Sequence, residues 1–380
     1  MKRSPYLIIA AFLLFCLSGW LGLFRELDVR GFGRLECRQP APLPQMPTLR
    51  MLGNRGDMQF YANAWDAYLS DRVLGRSLAV ATYLRMGLTL APAVQDSAYV
   101  EGKDGWLFLG NGHYSRDMID YTRNVYPASE AQVTAKCEYL RSLRETAREI
   151  GARFAVLVAP NKSSVYPEFL PDWLTIRDHR RFADRVCEKL QAEGFPIVFP
   201  KKLLEGTKKR GQLFFKDDSH WNEVAALPSF AAVMELLSAQ GEKLRTIALK
   251  KVKAVSGKKK WAGDIVVTGN LDRSRMDSRI WYCTYPEKKN LKRVKVLTEK
   301  GPFGEELTIA ENPAALNPEH LLIIGDSFAG YFFGCARVSF ARVTSIHTAT
   351  LKNADLKDVL LRIRPDCVIF ENVERYFWRP

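Results

Sequence analysis

The chain has 380 residues, of which 47% are hydrophobic and 26% charged, and it carries a formal net charge of +14. These values exclude a disordered tail and a miniature scaffold held by staples, and they leave room for one large α/β domain with accessories or two average domains. The seven cysteines, at 16, 37, 137, 187, 283, 335 and 367, are scattered without a CxxC pair, so neither a zinc site nor a disulfide framework is expected and they read as buried thiols.

At the N-terminus, Lys2 and Arg3 precede nineteen uncharged residues, 6–24, close to the roughly 20 needed to cross a bilayer core. A membrane segment or a signal peptide fits. The absence of an A-x-A cleavage site favours an uncleaved signal anchor, with 1–5 as a cytoplasmic tail. Arg25, Arg30, Arg34 and Arg38 follow the span and oppose a simple positive-inside count, but long following domains translocate largely regardless. The rest of the chain is therefore expected outside the cytoplasm. Residues 25–57 read as a juxtamembrane linker, with four prolines in the nine residues 39–47. Phe60, Ala64, Ala67, Tyr68 and Val73 lie at helical spacing, which predicts one or two amphipathic helices over 58–95.

From about 96 to 380 short apolar runs alternate with helical patterns, the mark of an α/β layer fold with a largely parallel sheet. The spacing predicts a first strand over 106–109, after the Asp104-Gly105 turn. A helix opened by a Ser129/Gln132 capping box runs to about 150, and a buried strand over 154–159 completes a β-α-β step. A helix near 178–192 leads to a strand over 196–199, and a third helix spans 222–239. Strands return at 321–324 and 367–370. Between Lys250 and Lys300 there are fifteen Lys or Arg against five Asp or Glu. This stretch reads as a solvated basic face on a loop or small sheet, or as a surface for an anionic membrane or polysaccharide. No helix-turn-helix, zinc finger or RNP signature accompanies it, so a nucleic-acid partner is not expected.

Leu321-Leu-Ile-Ile-Gly-Asp-Ser-Phe328 is an apolar strand ending in Gly-Asp-Ser, and ligands of open α/β sheets bind beyond the carboxyl ends of strands. Ser327 thus sits where a nucleophile would sit, although the same residues suit a plain helix cap. A serine hydroxyl needs a base, and the base needs an orienting acceptor. Of the five histidines, His220 lies in Phe214-Phe-Lys-Asp-Asp-Ser-His-Trp-Asn222, two residues after a carboxylate and just before a helix. His179 sits in a charged helix start, His320 and His347 flank strands, and His113 has only Asp117 nearby; these read as structural.

Asp218-x-His220-Trp221 followed by a strand ending Gly325-Asp-Ser-Phe328 resembles the AlgJ/AlgX family of alginate O-acetyltransferases, whose domain resembles a circularly permuted SGNH hydrolase. Other pieces recur in order: Asn63 to Arg72 with Arg76, Gly102 to Phe108, Ala159-Pro-Asn-Lys162 to Pro171, and Glu371-Asn-Val-Glu-Arg375. The resemblance covers about 60–380. It implies an SGNH hydrolase-like three-layer fold preceded by an N-terminal transmembrane helix, with Ser327 as nucleophile, His220 as general base and acid, and Asp218 orienting His220. Asp217 is the alternative orienter, because the unpermuted spacing D-x-x-H would select it. Lys162 and Arg375 match recurring positions, but they serve equally well as surface salt-bridging residues.

The implied activity is O-acetylation of a bacterial exopolysaccharide through an acetyl-serine, in the periplasm at the inner membrane, beside a membrane-bound O-acyltransferase that supplies acetyl groups. No glycine-rich nucleotide loop is present, so acetyl-CoA is not expected to bind directly, and no cofactor or metal is called for. An acetylesterase with the same triad, or a non-catalytic scaffold or binding subunit of an acetylation complex, are the competing readings.

Overall fold

The computed structural model describes residues 41–44, 55–72, 98–111, 118–125, 127–260, 263–269, 271, 279–301, 304–351 and 356–377. The expected tail 1–5, the anchor 6–24, most of the linker and His113 lie outside them. Among the described residues no helix is long and apolar enough to cross a membrane. The chain divides into two compact units, one of residues 1–99, 110–116 and 264–274, the other of 100–109, 117–263 and 275–380.

In the first unit the expected helix is α1 (Arg55–Ser70). Its aromatic residues recur three and four apart, so Tyr61, Trp65 and Tyr68 meet edge to face along one side. After the helix, Asp71 accepts the Ala41 N–H at 2.7 Å, and Arg72 stacks 3.6 Å above the Tyr68 ring while donating to the Ala41 carbonyl. The extended segment at 41–44 is thereby fastened to the helix end.

The second unit is built on a seven-stranded sheet of order β4-β3-β11-β9-β10-β8-β7. Five strands are parallel: β4 (Ile197–Val198), β3 (Arg153–Ala159), β11 (Cys367–Val373), β9 (Asn317–Gly325) and β10 (Phe340–His347). β8 (Glu306–Glu311) and β7 (Lys295–Lys300) extend it antiparallel. The inner strands are apolar on both faces, as strands covered by helices on both sides must be. Period two sorts them. Ala155, Leu157, Leu321, Ile323, Cys367 and Ile369 face α7 (Glu223–Ser238) and α9 (Phe333–Ser339). Phe154, Val156, Leu322, Ile324, Val368 and Phe370 face α3 (Glu130–Glu149), α5 (Phe182–Ala192) and α10 (Leu356–Ile363). The result is the expected three-layer α/β/α arrangement.

The expected capping box is present, with Gln132 N–H donating to Ser129 Oγ at 3.2 Å and Ser129 N–H to Gln132 Oε1 at 2.8 Å. The expected β-α-β step starting at 106–109 needs correcting. β2 (Leu107–Leu109) pairs with β1 (Tyr99–Glu101) in a separate two-stranded sheet and does not join the main one. Its Leu107 N–H donates instead to the Lys216 carbonyl at 2.8 Å, so it braces the loop that carries His220. The basic stretch 250–300 contains the antiparallel pair of β5 (Lys253–Lys260) and β6 (Arg279–Thr284), then a 3-10 segment and β7. The five described cysteines are free and buried, as expected.

Candidate active site

The site is assembled from the loop entering α7 and the turn leaving β9. That loop closes on itself: Phe214 and Trp221 form an isolated antiparallel bridge, and the Asn222 N–H donates to Leu213 O at 2.8 Å. Asn222 then caps α7 through its side chain, which accepts the Val224 N–H at 2.9 Å. Phe214, Phe215 and Trp221 are buried, so apolar residues anchor both sides of the polar Asp217-Asp-Ser-His220 segment.

Lys162, in the short helix α4 (Lys162–Val165), fixes the same segment from beneath. Its Nζ donates to the carbonyls of Phe215, Lys216 and Asp218 at 3.1, 3.0 and 2.6 Å, and only 4% of the residue is exposed. A lysine ammonium has three donors, and here all three are committed to main chain. The reading of Lys162 and Arg375 as surface residues is therefore wrong for both: they are buried.

Within the loop, His220 Nδ1 lies 2.7 Å from Asp218 Oδ1, which also accepts the His220 main-chain N–H at 2.8 Å. The opposite ring nitrogen, Nε2, lies 2.6 Å from Ser327 Oγ. The ring packs beside Phe328 and Tyr331, with centroids 5.0 and 5.6 Å away. Trp221 Nε1 donates to Phe328 O at 3.0 Å and ties the loop to the turn. Of the two candidate orienting carboxylates, it is Asp218's that meets the ring. Asp217 is buried, its carbonyl 2.2 Å from where a Cβ on Gly263 would stand, so only glycine fits at 263.

Ser327 is exposed, whereas Asp326 and Phe328 on either side are buried. Asp326 bonds the turn in two directions: Oδ1 accepts the Phe328 N–H at 2.9 Å and Oδ2 the Val373 N–H at 2.7 Å. The Ala329 N–H goes to Asp326 O at 3.1 Å. Beyond the two loops, Arg375 Nη1 donates to Asn161 Oδ1 at 3.1 Å, and its guanidinium lies 5.1 Å from the Phe328 ring centre. Asn161, Lys162, Ser219 and Arg375 line a small pocket together with Phe108 and Met118. Behind its wall Glu374 accepts from Asn161 N (2.8 Å), Ser164 Oγ (2.6 Å) and Arg181 Nη1 (3.0 Å), a fully buried ion pair that positions these segments more than it stabilises them.

The remaining histidines serve the fold where they are described. His320 on β9 bonds Thr344 Oγ1 at 2.8 Å, and its ring is held near a pKa of about 4 by burial and by Arg342. His347 accepts the Ala349 N–H, and His179 is exposed. Three contributors escaped the sequence reading: Asp326 as a brace, Trp221 as a tie, and the Arg181–Glu374 pair. The available signal was the polar run Glu371 to Arg375 closing an otherwise apolar strand, since charges there must be buried and paired.

An exposed serine after a central parallel strand, a histidine 2.6 Å away and a buried aspartate behind it define an α/β protein of the SGNH hydrolase-like class. Residues 99–328, more than half of the chain, match the family model described as SGNH hydrolase-like domain, acetyltransferase AlgX, and the chain belongs to that family. It is 25% identical over 166 residues to the probable alginate O-acetylase AlgJ of Pseudomonas syringae pv. tomato, covering 42% of this chain and 41% of the relative. It is also 25% identical over 160 residues to the protein of the same description from Pseudomonas putida, covering 41% and 40%. The chain thus matches about two fifths of the length of these curated relatives. Among solved structures, Bacillus cereus PatB1 with a sulfonyl adduct superposes with a TM-score of 0.51 at 15% identity, covering 72% of this chain and 96% of that one, a likeness of fold.

Proposed function

We propose that the protein is an O-acetyltransferase that acetylates a bacterial exopolysaccharide through Ser327. The observation that carries this reading is the chain of contacts from Asp218 Oδ1 to His220 Nδ1 at 2.7 Å and from His220 Nε2 to Ser327 Oγ at 2.6 Å. The Asp218 carboxylate holds the Nδ1–H tautomer, which leaves the Nε2 lone pair facing the serine hydroxyl. Ser327 Oγ attacks the acetyl carbonyl as its proton passes to Nε2; the donor's leaving oxygen takes that proton back, and acetyl-Ser327 remains. An acceptor hydroxyl then gives its proton to Nε2 and attacks the acetyl carbonyl; the bond to Ser327 Oγ breaks, Oγ takes the proton from Nε2, and the acceptor leaves with the acetyl group.

The tetrahedral intermediate needs donors. Among the described residues the Ser327 N–H has no acceptor of its own, while those of Phe328 and Ala329 are taken by Asp326. The Ser327 N–H is therefore the first donor of the oxyanion site, and each such donor is worth roughly 10²–10³ in rate. A polysaccharide acceptor is supported by the alginate O-acetylases among the relatives. The proposal includes a membrane-bound O-acyltransferase as the partner that delivers acetyl groups. It also includes anchoring at the inner membrane by residues 6–24, with the catalytic part in the periplasm; the uncharged length of that segment supports this.

The test is incubation of the purified chain with an activated acetyl ester, with and without a polysaccharide, beside the Ser327→Ala variant. Turnover, an acetyl group on Ser327 detected by mass spectrometry and acetylated polymer, all absent from the variant, are expected. Ester consumption that never reaches any polymer would assign an esterase instead, and equal silence from both proteins would leave a scaffold.

A further inference from the structure

Parallel pairing between β9 and β11 runs from Leu321 opposite Cys367 to Ile324 opposite Phe370, and there the ladder ends. Gly325 ends β9, and Asp326 and the exposed Ser327 follow it. Two side-chain bonds carry the connection on past the last rung. Asp326 N–H donates to Glu371 Oε2 at 3.1 Å, and Val373 N–H donates to Asp326 Oδ2 at 2.7 Å. Glu371 is fully buried, and it occupies the space a side chain at 325 would need: a Cβ there would lie 2.7 Å from Glu371 Oε2 and 3.2 Å from its Cβ. Glycine at 325 and glutamate at 371 are therefore two halves of one fit.

We infer that Glu371 is a positioning residue for the acyl-transfer step, fastening the Gly325-Asp326-Ser327 turn to the end of β11 so that Ser327 Oγ is held against His220. This rests on the reading of Ser327 as the nucleophile. Glu371 acts through the backbone of the turn and touches neither substrate nor the reacting atoms.

Its protonation state follows from its surroundings. Burial, then the neighbouring Asp326 carboxylate, push the Glu371 carboxyl well above the ordinary carboxylate range, against the opposing hydrogen bond from the Asp326 N–H. Asp326, from the end of β9, is the charged group that acts on it, and on the β3 side its register partner is the apolar Leu157. The upward shift favours the neutral form of Glu371, whose Oε2 accepts the Asp326 N–H. Ionising it sets two carboxylates against each other at the root of the turn.

Three variants test this in the full chain: Glu371→Gln, which copies the neutral acid and keeps an acceptor, Glu371→Leu, which keeps volume and removes it, and Ser327→Ala. Amide hydrogen exchange over 326–329 and kcat and KM for an activated acetyl ester are measured. Expected are faster exchange in that stretch for Glu371→Leu with kcat about 100-fold lower at a similar KM, and near wild-type behaviour for Glu371→Gln. Unaltered exchange in a folded Glu371→Leu, or a Glu371→Gln variant as impaired as Glu371→Leu, would overturn the inference. Should Glu371→Leu fail to fold, the pH profile of Glu371→Gln decides: the wild type loses activity on the alkaline side and the glutamine variant keeps it, whereas the same alkaline loss in both overturns the role. If Ser327→Ala turns over ester like the wild type, the nucleophile reading falls, and the exchange data still judge the fastening.

Discussion

The inner strands β3, β11, β9 and β10 and the outer pair β8 and β7 share one sheet and obey different rules. All of β11 is buried, and Leu321 to Gly325 of β9 are too, whereas every residue of β7 is exposed, including Val296 and Leu297 at 48% and 46%. The inner strands carry helices on both faces, and the turn after β9 carries Ser327. β7 carries lysines at both ends and lies at the sheet edge, where charge discourages pairing with another chain. Burial is concentrated in the inner strands, and the margin is left to solubility.

The sharpest way to break this comparison is Ser327→Ala. Acetyl-ester turnover is expected to fall by about 10⁴-fold or more, while denaturant unfolding moves by no more than about 0.5 kcal/mol, since the side chain is exposed. A large loss of stability would mean that the turn is part of the core rather than mounted on it. Next comes Ile323→Ala in the middle of β9, expected to cost about 2–5 kcal/mol in urea unfolding because a fully buried side chain leaves a cavity between β9 and α7.

A smaller effect is expected from pH. His320 has its pKa lowered from 6.5 to about 4, chiefly by burial and secondarily by Arg342, against the pull of Asp366. The unfolded chain therefore binds a proton that the folded chain refuses, so stability holds above pH 6.5 and declines as pH falls from there toward 4. After allowance for the partial exposure of the ring, the decline should be of order 1–2 kcal/mol, and His320→Gln should flatten it in denaturant titrations at pH 4.5 and 7. The smallest expected change is at the margin, where Leu297→Ala should shift unfolding by no more than about 0.5 kcal/mol. A cost like that of Ile323→Ala would show that β7 is covered in solution by something the isolated chain does not supply.

The same contrast decides how much could be read from the sequence. Continuous apolar runs such as Phe154 to Ala159 and Leu321 to Ile324 announce strands buried on both faces, and their helices carry visible caps. β10, by contrast, reads Phe-Ala-Arg-Val-Thr-Ser-Ile-His, where Arg342, Thr344 and Ser345 interrupt the run although the strand lies deep in the sheet. β5 and β7 carry lysines at both ends, so their pairing was hidden under their charge. His220 stands out because it is one of only five histidines and lies in a polar loop just before a helix, and Ser327 because it directly follows an apolar strand. Lys162 and Glu371 do not, since burying a charge or an acid depends on carbonyls and amides contributed from distant parts of the chain. Choosing between Asp217 and Asp218 likewise needed the fold of the loop, because neighbouring residues differ by direction and not by type.

The order of the strands also sets a timetable. Asp218 and His220 leave the ribosome more than a hundred residues before Ser327, and β11, which joins the nucleophile's strand to β3, follows later still. A partly synthesised chain can hold His220, or even His220 and Ser327, without the strand that brings the two halves of the sheet together. The arrangement around Ser327 is therefore complete only once β11 has paired with both β3 and β9.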